Sequence, residues 1–332
     1  MTLTLQLLLA FAISMAVTAL SGLVIIPALR RAKAGQSIRE DGPVWHMTKQ
    51  GTPTMGGVMF ILGIAVACLT AGFLCIKNGD LTHIYIFAFA LIYGAIGFLD
   101  DYEKLKKKQN LGLTASQKFI LQLVVAIAFI LLMRLTGRLT PNLYIPFFNV
   151  TVAIPEAVYF ILMAFIIVGT VNSVNLTDGV DGLVTGVSLP VACCYTALAF
   201  IWAYTAVGVF AAALAGGLAG FLIFNFHPAK VFMGDTGSLF LGGAVCAVAF
   251  AMDMPLILIP LGIIYICETL SDIIQVAYFK LTHGKRIFKM APLHHHFEMC
   301  GWSEYKLFAV FTAVSAVFAI ISYFAVHTRY GM

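Results

Sequence analysis

The feature that most constrains this chain is a succession of apolar runs, each about as long as the roughly 20-residue helix that crosses a lipid bilayer. They cover approximately residues 4–29, 55–76, 82–99, 117–136, 156–174, 183–202, 205–225, 237–253, 255–279 and 305–327. Little polar sequence remains to face water: 61% of the 332 residues are hydrophobic and 11% charged, against about 25% charged in an average soluble domain. A water-soluble fold is excluded, because it would lack the polar residues to cover its surface. The chain reads as all-α, a polytopic integral membrane protein with about ten transmembrane helices, since helices satisfy their own backbone hydrogen bonds in lipid. No fixed-period repeat and no Gly/Ser-rich or Pro-rich linker divides it, so residues 1–332 read as one integral-membrane domain.

The few charges are unevenly placed. If the loop after the first run is cytoplasmic, that side collects sixteen of the twenty Lys and Arg residues, and the other keeps only Lys77, Arg134, Arg138 and Arg329. Basic residues are retained in cytoplasmic loops, so both termini are expected outside the cytoplasm. The net charge of +5 therefore reports topology, not nucleic-acid binding. The first run has no basic region before it, which predicts a retained span and no cleaved signal peptide. Seven cysteines without a CxxC pair, six of them inside apolar runs, read as small buried hydrophobes and not as a disulfide or zinc framework.

The polar residues that a simple bundle does not need all fall in the loops assigned to the cytoplasmic side. Asp100 and Asp101 close the third run. Asn172, Asn175, Asp178 and Asp181 lie in the stretch 171–182, and Asp235 lies in Gly234-Asp235-Thr236-Gly237. Aspartate oxygens are hard donors suited to Mg²⁺, and five aspartates gathered on one face repel unless cations compensate them. Adjacent Asp100 and Asp101 cannot point the same way on a regular helix. Glycines directly after Asp178 and Asp181 let the backbone turn tightly beside a ligand. His294, His295 and His296 project in different directions, which makes a poor three-ligand zinc site; beside Lys285, Arg286 and Lys289 they read as donors to phosphate oxygens, with one able to carry a proton. Glu268 and Asp272, four apart on one helix face, read as structural for Glu268 and open for Asp272. No GxGxxG or P-loop pattern is present, so no soluble nucleotide-binding domain is indicated.

Several segments together resemble the phospho-N-acetylmuramoyl-pentapeptide transferase family. They are Thr52-Pro-Thr-Met-Gly-Gly57, Gly97-Phe-Leu-Asp-Asp-Tyr102, 172–182, Asn225, 231–239, Glu268-Thr-Leu-Ser271 and Met290-Ala-Pro-Leu-His-His-His-Phe-Glu298, and they span nearly the whole chain. The resemblance implies ten transmembrane helices, a homodimer in the bacterial cytoplasmic membrane, and a Mg²⁺-dependent active site on the cytoplasmic face. It implies UDP-N-acetylmuramoyl-pentapeptide and undecaprenyl phosphate as substrates, and lipid I and UMP as products. It places Asp235 as metal ligand, with Asp100 and Asp101 as an acidic pair that activates the lipid phosphate or joins the metal, and His294 among the catalytic groups. It assigns Lys49, Thr54, Lys118, Asn172, Asn175, Asp178, Asp181, Asn225, Phe232 and Gln275 to substrate binding, with Phe232 stacking on uracil, and His295 and His296 to the phosphate side. Asp272 departs from the family pattern, which is apolar there.

Two other readings compete. A related enzyme would transfer N-acetylglucosamine 1-phosphate, but Thr52-Pro-Thr-Met-Gly-Gly57 and the Ala-Pro-Leu-His-His-His segment favour the muramoyl branch. A secondary transporter would place its carboxylates near the bilayer midplane, whereas these are expected at helix ends.

Overall fold

The structure is a computed structural model that describes residues 2–32, 49–107 and 112–329. Parts of the expected loops at 30–54 and 100–116 therefore lie outside the described residues. The long helices are α1 (Leu3–Arg31), α4 (Thr82–Lys107), α5 (Ala115–Leu135), α6 (Glu156–Thr177), α7 (Leu183–Ile201), α8 (Thr205–Asn225), α9 (Gly234–Ala251) and α13 (Glu304–Val326). These eight are long and apolar enough to span a membrane, and a bent pair, 255–261 followed by α11 (Ile263–Leu281), makes a ninth if counted as one span.

The expected run at 55–76 is present as two helices, α2 (Gly57–Thr70) and α3 (Phe73–Lys77), separated by two residues. Gly72 sits in the break, where a Cβ would lie 2.2 Å from the Cys68 carbonyl oxygen and 2.5 Å from His83 Nε2. The 14 residues of α2 rise about 21 Å at 1.5 Å each, so a crossing of the roughly 30 Å hydrocarbon core here needs α3 as well. The ninth run bends by 79° at Gly262, after the prolines 255 and 260 and the short helix α10 (Leu258–Leu261). Two boundaries also move. Helix α4 continues to Lys107, supported by the i,i+4 pairs Asp100–Lys104 and Glu103–Lys107, so Asp100 and Asp101 lie within a helix. Helix α6 runs to Thr177 and carries Asn172 and Asn175 on its last turns.

The remaining elements are small. An antiparallel hairpin, β1 (Asn142–Ile145) and β2 (Val150–Ala153), is paired from Asn142↔Ala153 to Ile145↔Val150. The six-residue α12 (Leu293–Glu298) carries the three histidines. All seven cysteines are free; Cys68, Cys75, Cys194 and Cys246 are buried, whereas Cys193 is exposed and Cys267 half-buried.

Helices α8 and α9 form the interior. Helix α9 packs against α4, α6 and α2, and α8 against α1, α7 and α2. The outer helices instead expose large apolar side chains such as Leu20, Leu23 and Val24 of α1 and Ile161 and Phe165 of α6. That inversion fits a chain solvated by lipid. Contacts inside are made through small residues, as in membrane bundles: Gly216 lies against the Phe11 carbonyl and Gly220 against that of Met15. The closest approach joins α4 to α9, where a Cβ on Gly97 would lie 2.0 Å from the carbonyl oxygen of Asp235. From α4 to α9 the long helices alternate in direction, so the C-terminal turns of α4, α6 and α8 and the first turns of α5, α7 and α9 meet at one end of the bundle.

Candidate active site

At that end Asp100, Asp101 and Asp235 offer carboxylate oxygens that lie within 4.8 Å of one another. The Gly97 contact sets α9 against α4 one turn before the acidic pair. Gly234 does the same from the other side: its φ is +69°, a conformation that favours glycine, and a Cβ there would lie 2.6 Å from Asp101 Oδ2 and 2.7 Å from Thr54 Oγ1. Residues 53–57 run along 232–233, with Phe232 N–H donating to the Pro53 carbonyl at 2.9 Å and Gly56 N–H to the Phe232 carbonyl at 2.8 Å. This pairing places Thr54, which is buried, beside the start of α9 and leaves Phe232 half-exposed.

The two adjacent aspartates have different partners, as expected from a helix. Asp101 caps α9: its carboxylate accepts from Thr236 N–H (2.9 Å), Thr236 Oγ1 (2.7 Å) and Asp235 N–H (3.2 Å), answering amides that a helix N-terminus leaves unpaired. Asp100 accepts from Leu113 N–H at 2.9 Å and pairs with Lys104 at 2.6 Å. Asp235 is contacted by Lys104 Nζ at 2.9 Å, Lys118 Nζ at 2.8 Å and Asn175 Nδ2 at 2.9 Å. Three carboxylates against two ammonium groups leave one net negative charge. Hard oxygen donors this close, with charge to spare, fit a divalent cation. Asp178 follows the end of α6; burial first, then the charges of Asp235, Asp101 and Asp181, push its carboxyl up to about 8, so it holds a proton at neutral pH.

A second knot ties four segments together beside it. Lys49 Nζ donates to Asp181 Oδ1 and Glu304 Oε2, both at 2.7 Å. Asp181 Oδ2 bonds His227 Nδ1 and accepts from Ala229 N–H, each at 2.9 Å, and Glu304 Oε2 takes the Asp181 N–H at 3.2 Å. Burial alone would raise the Asp181 carboxyl; Lys49, the Ala229 amide and His227 outweigh it and hold the group below its ordinary range. These acids and His227 stand close enough to hold an ion, but the Lys49 ammonium already takes the cationic place.

The structure separates other expected site residues from this cluster. Asn172 exchanges amide hydrogen bonds with Gln122. Asn225 is buried and braces its own loop, accepting from Thr185 Oγ1 and donating to the Val231 carbonyl. Gln275 binds the backbone of Ile287 and Phe288. The three histidines diverge: His294 Nδ1 meets Glu268 at 3.0 Å, His295 Nδ1 meets Glu298 at 2.7 Å, and His296 Nδ1 accepts from Lys289 N–H at 3.1 Å. Asp272 is half-exposed, one turn from buried Glu268.

Sequence reasoning missed Lys104, His227 and Glu304 as site residues. Lys104 had a usable signal, its i+4 spacing from Asp100. Glu304 follows the N-cap Ser303 and reads as an ordinary acid in a helix first turn, and His227 has no local signal at all.

Comparison with known proteins covers both clusters. Residues 83–253 match the family model for glycosyl transferase family 4, and residues 49–61 match phospho-N-acetylmuramoyl-pentapeptide-transferase signature 1. A phospho-N-acetylmuramoyl-pentapeptide-transferase of Geobacillus thermodenitrificans is 48% identical over 315 residues, covering 94% of this chain and 95% of that one. Proteins of the same description from Clostridium acetobutylicum (44% identical; 94% and 96% covered) and Staphylococcus aureus (46% identical; 90% and 92% covered) are similar in extent. With identity of this order running almost end to end, the chain belongs to the phospho-N-acetylmuramoyl-pentapeptide-transferase family.

Proposed function

We propose that the chain transfers phospho-N-acetylmuramoyl-pentapeptide from its UDP-linked donor to undecaprenyl phosphate, giving lipid I and UMP for peptidoglycan synthesis. The observation that carries this reading is the triad Asp100, Asp101 and Asp235, with Lys104 and Lys118 bridging Asp100 and Asp235, at one end of an apolar bundle. There an anionic lipid headgroup at the membrane surface meets a soluble anionic donor. An oxygen of the lipid phosphate attacks the phosphorus that carries the sugar; the bond from that phosphorus to the UMP oxygen breaks, and UMP leaves with the electron pair. One phosphoanhydride replaces another, so the step is close to thermoneutral.

The obstacle is kinetic, because two anions must approach. Lys104 and Lys118 lie where they offset that repulsion, and positioned charge of this kind is the main source of catalysis in phosphoryl transfer. Asp235 and Asp100 would hold Mg²⁺, which when bound neutralises charge on the pyrophosphate and the leaving group. Asp101 holds the first turn of α9 in place behind them. The lipid phosphate is already ionised at neutral pH, so a carboxylate has little proton to remove. Lys49, Thr54, Asn175, Asp178, Asp181 and half-exposed Phe232 form the donor side, with Phe232 available to stack on the base; Asn225 and Gln275, assigned to the same side by the resemblance, act there through the segments they brace. The resemblance assigns His295 and His296 to the phosphate side.

The sixteen-to-four division of basic residues supports an active site on the cytoplasmic face of the bacterial plasma membrane, with both termini outside; one integral-membrane domain in a homodimer is the arrangement the family resemblance implies. The test is UMP release by the purified chain from UDP-N-acetylmuramoyl-pentapeptide and from UDP-N-acetylglucosamine, with undecaprenyl phosphate, with and without Mg²⁺. Release from the muramoyl donor that requires Mg²⁺ is expected. Preference for UDP-N-acetylglucosamine, or full release without a divalent cation, would overturn the reading.

A further inference from the structure

The buried pair of Glu268 and His294 is not used by the chemistry above. Glu268 sits in α11 with no exposed surface, and His294 in α12 is 1% exposed. Glu268 Oε2 accepts twice from the same residue, from the His294 main-chain N–H at 3.4 Å and from Nδ1 at 3.0 Å. The two outer atoms of the pair, Glu268 Oε1 and His294 Nε2, are buried without a hydrogen-bond partner. Buried polar atoms are almost always satisfied, so an orphaned ring nitrogen needs a reason.

Its surroundings supply one. A Cβ on Gly179 would lie 2.1 Å from His294 Nε2 and 2.7 Å from Cε1, so the ring edge rests directly on the Asp178-Gly179 turn. That turn joins the carboxylate cluster to the Lys49–Asp181 knot. A carboxylate can only accept, so Glu268 places the imidazole proton on Nδ1 and leaves Nε2 facing the turn. This is the way a carboxylate orients a histidine for work at its other nitrogen. Glu268 and His294 are 26 residues apart, and neither touches Asp100, Asp101 or Asp235 among the contacts described above.

We infer that Glu268 is a positioning residue that acts through His294: it holds the ring with Nδ1–H on the carboxylate and stabilises the imidazolium, whose Nε2–H faces the Asp178-Gly179 turn and donates to a phosphate oxygen of the donor once that turn yields. The inference rests on the transferase reading, and a wild-type chain that releases no UMP from the muramoyl donor refutes that reading first.

The test is a double-mutant cycle on UMP release by the full chain with Mg²⁺ and both substrates. Glu268→Gln keeps the shape but can present an N–H to Nδ1. It is expected to lower kcat at least about 10- to 100-fold with KM for both substrates within about 2-fold, taking as a floor the range for carboxylates that orient metal-bound histidines. In a His294→Ala background the same change should alter kcat by less than about 2-fold, because a residue acting only through another has nothing left to act on. An equal loss in both backgrounds, or near-normal kcat for Glu268→Gln, overturns the inference. If Glu268→Gln does not fold, His294→Asn decides: its amide can keep the bond to Glu268 but has nothing at the Nε2 position. A folded His294→Asn protein is expected to lose about 100-fold in kcat, within the span of general acid–base contributions, whereas wild-type turnover would show that only the bond to Glu268 matters.

Discussion

Gly97 offers a direct test of the idea that close helix packing sets the geometry of the carboxylates. Gly97→Ala adds one methyl group at the α4–α9 crossing, 2.0 Å from the Asp235 carbonyl oxygen, 2.3 Å from its carbonyl carbon and 2.7 Å from Thr236 N. All three are backbone atoms, so no side chain can swing aside. Ordinary contact begins near 3.4 Å, which requires α4 and the first turn of α9 to separate by about 1.4 Å. Overpacking of this kind costs about 1–3 kcal/mol, which a bundle of this size can absorb. The displacement also opens the 2.9 and 2.7 Å bonds from Asp101 to Thr236 and carries Asp235 away from Asp100. A shift of about 1 Å in reacting groups costs about 100-fold in rate, so UMP release should fall at least about that far while the protein stays monodisperse and melts within a few degrees of wild type. Gly169→Ala is the control, because a Cβ there meets nothing within 4 Å. If Gly97→Ala turns over like Gly169→Ala, the packing argument fails.

Other consequences can be checked with the same protein. Glu304→Gln removes a charge from the Lys49 ammonium and should raise KM for the UDP-linked donor about 3- to 10-fold with kcat little changed, as expected when one charged partner in a partly buried pair is lost; a fall in kcat alone would place Glu304 elsewhere. Asp178 has a folded-state pKa of about 8 against about 3.9 unfolded, so between those values the folded chain keeps a proton that the unfolded chain has lost. Stability in the absence of metal should therefore fall as pH rises from about 4 to about 8 and level off above. Asp178→Asn should flatten that slope in thermal melts, and an unchanged slope would count against a protonated Asp178. Asp235→Asn should abolish saturable Mn²⁺ binding by the chain without substrates, whereas Asp272→Asn should leave it intact; retained binding in the Asp235 variant would remove that residue from the cation site.

The sequence announces the site more clearly than it announces the site's wiring. Asp178, Asp181 and Asp235 stand out because each is next to a glycine at the edge of an apolar run, and the excess of Lys and Arg points to the same set of loops. Those are local signals. The partners are not local: Asp101 reaches Thr236 across 135 positions and Lys49 reaches Glu304 across 255. No periodicity encodes such pairs. For the same reason Asn225 and Gln275 read as binding residues, while their amides are taken up by Thr185 and the 287–288 backbone. In the fold, apolar runs locate helices but do not show where they break. The interruption at Gly72 depends on His83 from another helix, whereas the bend at Gly262 and the extension of α4 to Lys107 had readable causes in nearby prolines and in i,i+4 pairs.

Gathering three carboxylates at the end of an apolar bundle is costly, and the way the cost is met bears on function. Asp101 is held by two main-chain amides and one hydroxyl of α9, and Asp235 by two lysines and Asn175, so the chain's own groups hold both in place. The positive end of the α9 dipole adds to the same balance. Glycine contacts at 97 and 234 then leave the backbones no room to spread. A cluster restrained from both sides meets its ligand already formed, and the energy of binding phosphate goes into approach of the two anions instead of into assembling the site. Lys104, the more exposed of the two lysines, touches both Asp100 and Asp235 from the open side. On the transferase reading it is the cation best placed to exchange a carboxylate oxygen for a phosphate oxygen, while Lys118 keeps Asp235 in register from within.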